Sequence, residues 1–86
     1  MPISYVLINS NLGTDVQIIA EIKEIMAKQS DVQVEIQGAY GVYDIILKLT
    51  ANDTTKLRSI VTNDIRKINN VQSTLTMMVI EQQEKS

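Results

Sequence analysis

Four short runs of this chain alternate with a period of two, and in three of them the apolar residues spill onto both sides of the alternation. In "ISYVLIN" (Ile3–Asn9), Tyr5 and Leu7 fall on one side and Val6 and Ile8 on the other. In the run beginning at Ile45, Ile46 joins the face opposite Ile45, Leu47 and Leu49, beside Lys48 and Thr50. In "VQSTLTMMVIE" (Val71–Glu81), Leu75, Met77 and Val79 interleave with Met78 and Ile80. Only the run from Val32 to Gln37 separates cleanly, with Val32, Val34 and Ile36 against Gln33, Glu35 and Gln37. Period-two alternation describes strands. An antiparallel sheet covered on one side has a polar second side, and this one does not, so both sides of the sheet have to be hidden.

Two segments between the strands carry the helical period instead. After the turn cluster "NSNLGT", Thr14 stands at an N-cap position with Gln17 three residues on, the capping-box spacing. Val16, Ile19, Ile22 and Met26 then recur at three- and four-residue steps to about Lys28, and Ile18 and Ile25 widen the stripe. Asn52 or Asp53 can cap a second helix, whose stripe is Leu57, Ile60, Val61, Ile65 and Ile68, ending at Asn69–Asn70. Asp64 falls inside that apolar arc and is expected at an interface, paired with Arg or Lys. The order β-α-β-β-α-β predicts an α+β fold of the ferredoxin-like type: a four-stranded antiparallel sheet with two helices on one face and right-handed crossovers. Residues 1–81 form the domain and residues 82–86 a polar tail. With the first and third strands central, the uncovered face becomes a contiguous apolar patch, too large to stay wet on so small a domain. We therefore expect dimerisation through the sheet.

Composition narrows the functions. At 86 residues the chain buries only about 60–65% of its unfolded surface, so association would add useful stability. Its net charge is −2, its cations are scattered, and it has three Tyr but no Phe or Trp, so neither a phosphate-binding cluster nor a stacking platform is present. No direct nucleic-acid contact is expected. Cys and His are absent, which removes disulfides, thiolate or imidazole metal sites, cysteine nucleophiles and histidine bases. We expect no metal and no cofactor. No apolar stretch approaches the ~20 residues that cross a bilayer, and the amino terminus lacks a signal-peptide pattern. A cytoplasmic domain with no membrane contact is the expectation.

One segment stands out between the second and third strands. "GAYGVYD" (Gly38–Asp44) gathers two glycines, two tyrosines and an acid in seven residues. Together with "SYVLINSNLG" and "VQSTLTMMVIE" it resembles the effector-binding domain of the Lrp/AsnC (feast/famine) transcription regulators, over roughly residues 3–81. The most specific element is Gly-x-Tyr-Asp, here Gly41-Val42-Tyr43-Asp44. The chain departs from the common pattern in having Ser30-Asp31-Val32 and Asn69-Asn70-Val71 where Pro-Gly-Val is frequent. Its first strand also begins at residue 3, leaving no room for a helix-turn-helix. The resemblance is thus to a stand-alone form with no DNA binding of its own.

That resemblance implies homodimers joined through their sheets, higher oligomers such as an octameric ring, and amino-acid effectors bound at interfaces. It implies full-length regulators of the family as candidate partners. It also points to Tyr40, Gly41, Val42, Tyr43 and Asp44, with Thr74 and Thr76 on the last strand, as ligand-binding residues. Their chemistry suits a zwitterion. Asp44 can take an ammonium, and Thr74 and Thr76 share a strand face and can donate to a carboxylate. Gly41 admits a close backbone approach, and Tyr40 or Tyr43 can wall a side-chain pocket. The same residues also suit plainer roles, as a hairpin bend, a turn acceptor and β-forming threonines. The expected function is a non-enzymatic amino-acid sensing and oligomerisation module. The alternatives are a structural assembly subunit without a ligand, or a small ferredoxin-like dimeric enzyme. The enzyme reading has no paired carboxylates and no phosphate loop to support it.

Overall fold

A computed structural model of the protein describes residues 2–79. Strand β1 (Ile3–Ser10) leads into helix α1 (Asp15–Ala27), and β2 (Gln33–Gly38) turns back as β3 (Ile45–Thr50). Helix α2 (Thr54–Ser59) continues as a π-helical segment (Ile60–Ile65) before β4 (Val71–Val79). The sheet is antiparallel throughout, in the order β2-β3-β1-β4. This is the ferredoxin-like arrangement expected from the alternation, with the one-sided run β2 at an edge. Ile80, Glu81 and the polar tail lie outside the described residues.

The core forms where the helix stripes meet one side of the sheet. Val6 and Ile8 of β1 and Ile45, Leu47 and Leu49 of β3 pack against Ile18, Ile22 and Met26 of α1. Leu57, Ile60, Val61, Ile65 and Ile68 complete the layer. Val34 and Ile36 on edge strand β2 are only partly buried.

Three local expectations change. Val16 does not belong to the buried stripe of α1; it is 73% exposed, because the inward line runs Ile18–Ile22–Met26 and leaves Val16 on the outer flank. Thr14 occupies the N-cap position of α1, but no capping box forms. Its hydroxyl donates to the Asn11 carbonyl at 2.6 Å, folding the turn instead of capping the helix. The second helix is not α-helical to its end. Ile60 and Ile65, five residues apart, are both buried, and a five-residue step lies far round an α-helix. Switching to i→i+5 bonding brings them nearer one line, and the Arg66 N–H donates to the Val61 carbonyl at 3.1 Å.

The other expected devices are in place. Asp53 caps α2, its Oδ1 accepting from the Thr55 N–H at 2.9 Å. Asn70 sits at φ 75°, the left-handed conformation that asparagine tolerates better than most residues.

The register defines the uncovered face, since directly opposed residues share a side. One row is Gln37–Ile46–Leu7–Leu75, the next Glu35–Lys48–Tyr5–Met77, and the third Gln33–Thr50–Ile3–Val79. The apolar part is continuous from Ile46 through β1 to β4, where Leu75 and Met77 are 45% and 47% exposed. Toward β2 the face turns polar, with Lys48 and Glu35 paired at 3.7 Å.

Candidate functional site

The β2–β3 hairpin is closed at its base and open at its tip. The Ala39 N–H donates to the Asp44 carbonyl at 2.7 Å, and the Asp44 N–H donates to the Ile8 carbonyl at 3.0 Å. The carboxylate then reaches across to the end of β1. Oδ2 of Asp44 accepts from both the Ser10 N–H at 2.9 Å and the Ser10 hydroxyl at 3.1 Å. Asp44 therefore fastens the hairpin to the strand that leads into α1, and its Oδ1 accepts no hydrogen bond among the described residues.

Beyond this clasp the hairpin projects. Tyr40 is fully exposed and Val42 nearly so, while Tyr43 is half-buried. A Cβ at Gly41 would meet nothing within 4 Å, so the backbone lies open there, and it is the backbone angle, φ 157°, that favours glycine. An open cleft of about 430 Å³ runs between the hairpin and the β1–α1 turn. Asp44, Tyr40, Ser10, Leu12 and Asp15 line it, together with Gln72 from β4. Leu12, like Tyr40, is fully exposed.

Thr74 and Thr76 stand elsewhere. They oppose Ile8 and Val6 in the register and so point to the helix-covered side of β4. There they line a second cleft, of about 380 Å³, against α2 and the π-helical segment. Asp44 precedes Ile45, which pairs with Ile8, which pairs with Thr74. Two inter-strand spacings, about 9.5 Å, thus separate the backbones of Asp44 and Thr74, and their side chains line different clefts.

The second cleft contains residues that the sequence reading passed over. Arg58, Thr62 and Arg66 form its helical wall, facing Thr74 and Thr76. Their spacing of four along the helix was the available signal, since i, i+4 and i+8 share a side. Neither arginine forms an ion pair among the described residues. Asp64 is half-buried one turn away and likewise forms no ion pair among the described residues. No group of three or more His, Cys, Asp or Glu that could hold a metal occurs among the described residues. No described helix is long and apolar enough to cross a membrane.

The model of the Lrp/AsnC ligand binding domain matches residues 10–86. The chain belongs to this family. Its fold overlays that of FFRP-DM1 with a TM-score of 0.74 at 28% identity, covering 93% of this chain and 100% of that one. It overlays E. coli AsnC with a TM-score of 0.76 at 21% identity, covering 99% of this chain but 54% of AsnC, so it spans about half of that regulator. A transcriptional regulator from Neisseria meningitidis, NMB0573, solved as a complex with L-Met, overlays with a TM-score of 0.69 at 13% identity, over 99% of this chain and 53% of that one. No curated protein matches the sequence. The family is one of regulatory ligand-binding domains.

Proposed function

We propose that this Lrp/AsnC ligand-binding domain is an amino-acid sensing and oligomerisation module, with no DNA contact of its own. It would act by self-assembly or by joining full-length regulators of its family. Copies associate through the apolar side of the sheet, and effector recognition draws on Tyr40–Asp44 together with Thr74 and Thr76. The observation that carries this reading is that Asp44 and the threonines line different clefts of one chain. Groups in separate clefts of one chain can meet when a second copy is added. That the regulator NMB0573 was solved with L-Met bound supports an amino acid as the effector class.

Ligand binding of this kind shifts an assembly only by its differential affinity between states. The test is a melting screen of the twenty amino acids, run alongside light scattering. An effector at a hundred times its Kd stabilises the folded form by about 2.7 kcal/mol. A shift for one or a few amino acids, with a change in scattering, is expected. Silence across the whole panel removes the sensing role. One observation favours the structural-subunit alternative: Oδ2 of Asp44 is engaged by Ser10, so the acid has a structural role that needs no ligand.

A further inference from the structure

Asp64 is the acid that interrupts the apolar arc of the second helix. It is half-buried and forms no ion pair among the described residues. Wound as an α-helix throughout, at about 100° per residue, this stretch would gather Leu57, Ile60, Val61, Ile65 and Ile68 into an arc of about 140°. Asp64 would then fall inside that arc, between Ile60 and Leu57. Five buried aliphatics would surround a carboxylate without a partner, and an unpaired ionised carboxylate is not tolerated in an apolar layer.

The π-helical segment Ile60–Ile65 removes the conflict. Bonding i→i+5 slows the rotation per residue, so Ile65 takes the place one turn on from Ile60 that an α-helix would give to Asp64. Both isoleucines are buried, and Asp64 sits on the flank. The same lag moves Arg66. In an α-helix Arg66 would lie about 170° from the centre of the apolar arc, facing away from the sheet. With an extra residue in the turn it falls back toward Arg58, and the two arginines line the cleft that holds Thr74 and Thr76.

We propose that Asp64 is a positioning residue: its carboxylate, kept out of the core, holds the segment in its i→i+5 winding, and that winding holds Arg66 beside Thr74. The proposal rests on the reading that Thr74 and Thr76 take part in effector recognition, and it adds Arg66 to that site. A guanidinium beside two hydroxyls suits the carboxylate of an amino acid whose ammonium goes to Asp44 of a second copy.

Scalar coupling across the hydrogen bond, measured by NMR on the whole chain, identifies the carbonyl that accepts from the Arg66 N–H. In the parent this is Val61, at 3.1 Å. In Asp64→Leu it is expected to become Thr62, the α-helical acceptor, and cross-peaks between Arg66 and Thr74 should disappear. Asp64→Ala makes the same change with less volume and covers the case in which leucine overfills the layer. Asp64→Asn keeps a polar group that the core also rejects, so Val61 should remain the acceptor. Where an amino acid binds the parent in calorimetric titration, Asp64→Leu and Arg66→Gln should each weaken it roughly tenfold or more, the usual cost of losing a hydrogen bond to a charged group, and Asp64→Asn should not. Val61 remaining the acceptor in both apolar variants, or giving way to Thr62 in Asp64→Asn as well, would overturn the proposal. Amino-acid binding that survives Arg66→Gln would overturn the place of Arg66 in the site while leaving the sensing role standing. Absence of binding by every amino acid would overturn the sensing role, and the acceptor of the Arg66 N–H would then decide the role of Asp64 in the winding by itself.

Discussion

Replacing Asp44 by alanine removes the clasp between the β2–β3 hairpin and the end of β1, and its cost follows from the geometry. Two hydrogen bonds end on one carboxylate oxygen, from the Ser10 N–H at 2.9 Å and the Ser10 hydroxyl at 3.1 Å. Bonds to a charged group contribute about 1.5–3 kcal/mol each when shielded. Both residues are only half-buried, so water recovers part of what the donors lose, and we expect about 2 kcal/mol for the pair. For a domain of this size that lowers the melting temperature by roughly 8–16 °C. Asp44→Asn keeps a neutral acceptor and should cost about half as much. The assay is thermal and urea unfolding at one fixed protein concentration, because association would otherwise shift the midpoint. If alanine stays within about 0.5 kcal/mol of the parent, the range of ordinary surface changes, the clasp contributes nothing and the reasoning is wrong. The asparagine variant also matters for ligand work. A ligand shift lost in Asp44→Asn, with folding largely kept, assigns the carboxylate to recognition and not only to the turn.

Other consequences are simpler. Ser4 is fully buried beside the core and its hydroxyl has no hydrogen-bond partner among the described residues; Ser4→Ala should therefore stabilise by about 1 kcal/mol, seen as a melting temperature raised by roughly 4–8 °C. The Lys56 ammonium donates to both oxygens of Asp31, at 2.6 and 2.7 Å, and holds that carboxyl below its ordinary value of 3.8. A carboxyl depressed in the folded state stabilises above its unfolded pKa and loses that contribution as pH falls through the folded value. The pair lies at the surface, so the parent should melt only slightly higher than Asp31→Asn at neutral pH, and the gap should close below about pH 3.8. A gap that widens on acidification would reverse the sign of this argument.

Much of the architecture could be read from residue spacing because burial acts on spacing. Val6 and Ile8 against Tyr5 and Leu7 was enough to predict a strand with two apolar sides, and the sheet has that strand at its centre. Edge strand β2 was legible from its polar alternates. Where several aliphatics crowd a helix, spacing alone does not choose the inward line, so Val16 looked like core and is exposed. The hydroxyl of Thr14 had two acceptable partners, and the nearby Asn11 carbonyl won. Contacts between distant segments were not legible at all. Ser10 and Asp44 are 34 residues apart, and Arg66 meets Thr74 across one cleft wall only because the π-helical segment lies beside β4. The hairpin was identifiable from its composition. That its acid is clasped to β1, and that the threonines lie two strands away, required the fold.

The central claim is that the bare side of the sheet is covered by a second copy of the chain. Sedimentation at micromolar concentration tests it most directly, comparing the parent with a Leu75→Glu, Met77→Glu double variant. These two half-exposed side chains each gain up to roughly 1.5–3 kcal/mol on full burial, so charging both should raise the dissociation constant at least hundredfold. A dimer or larger species that falls apart in the double variant is the predicted result. A parent that sediments as a single 9.6 kDa chain, or an assembly indifferent to both changes, would contradict the account.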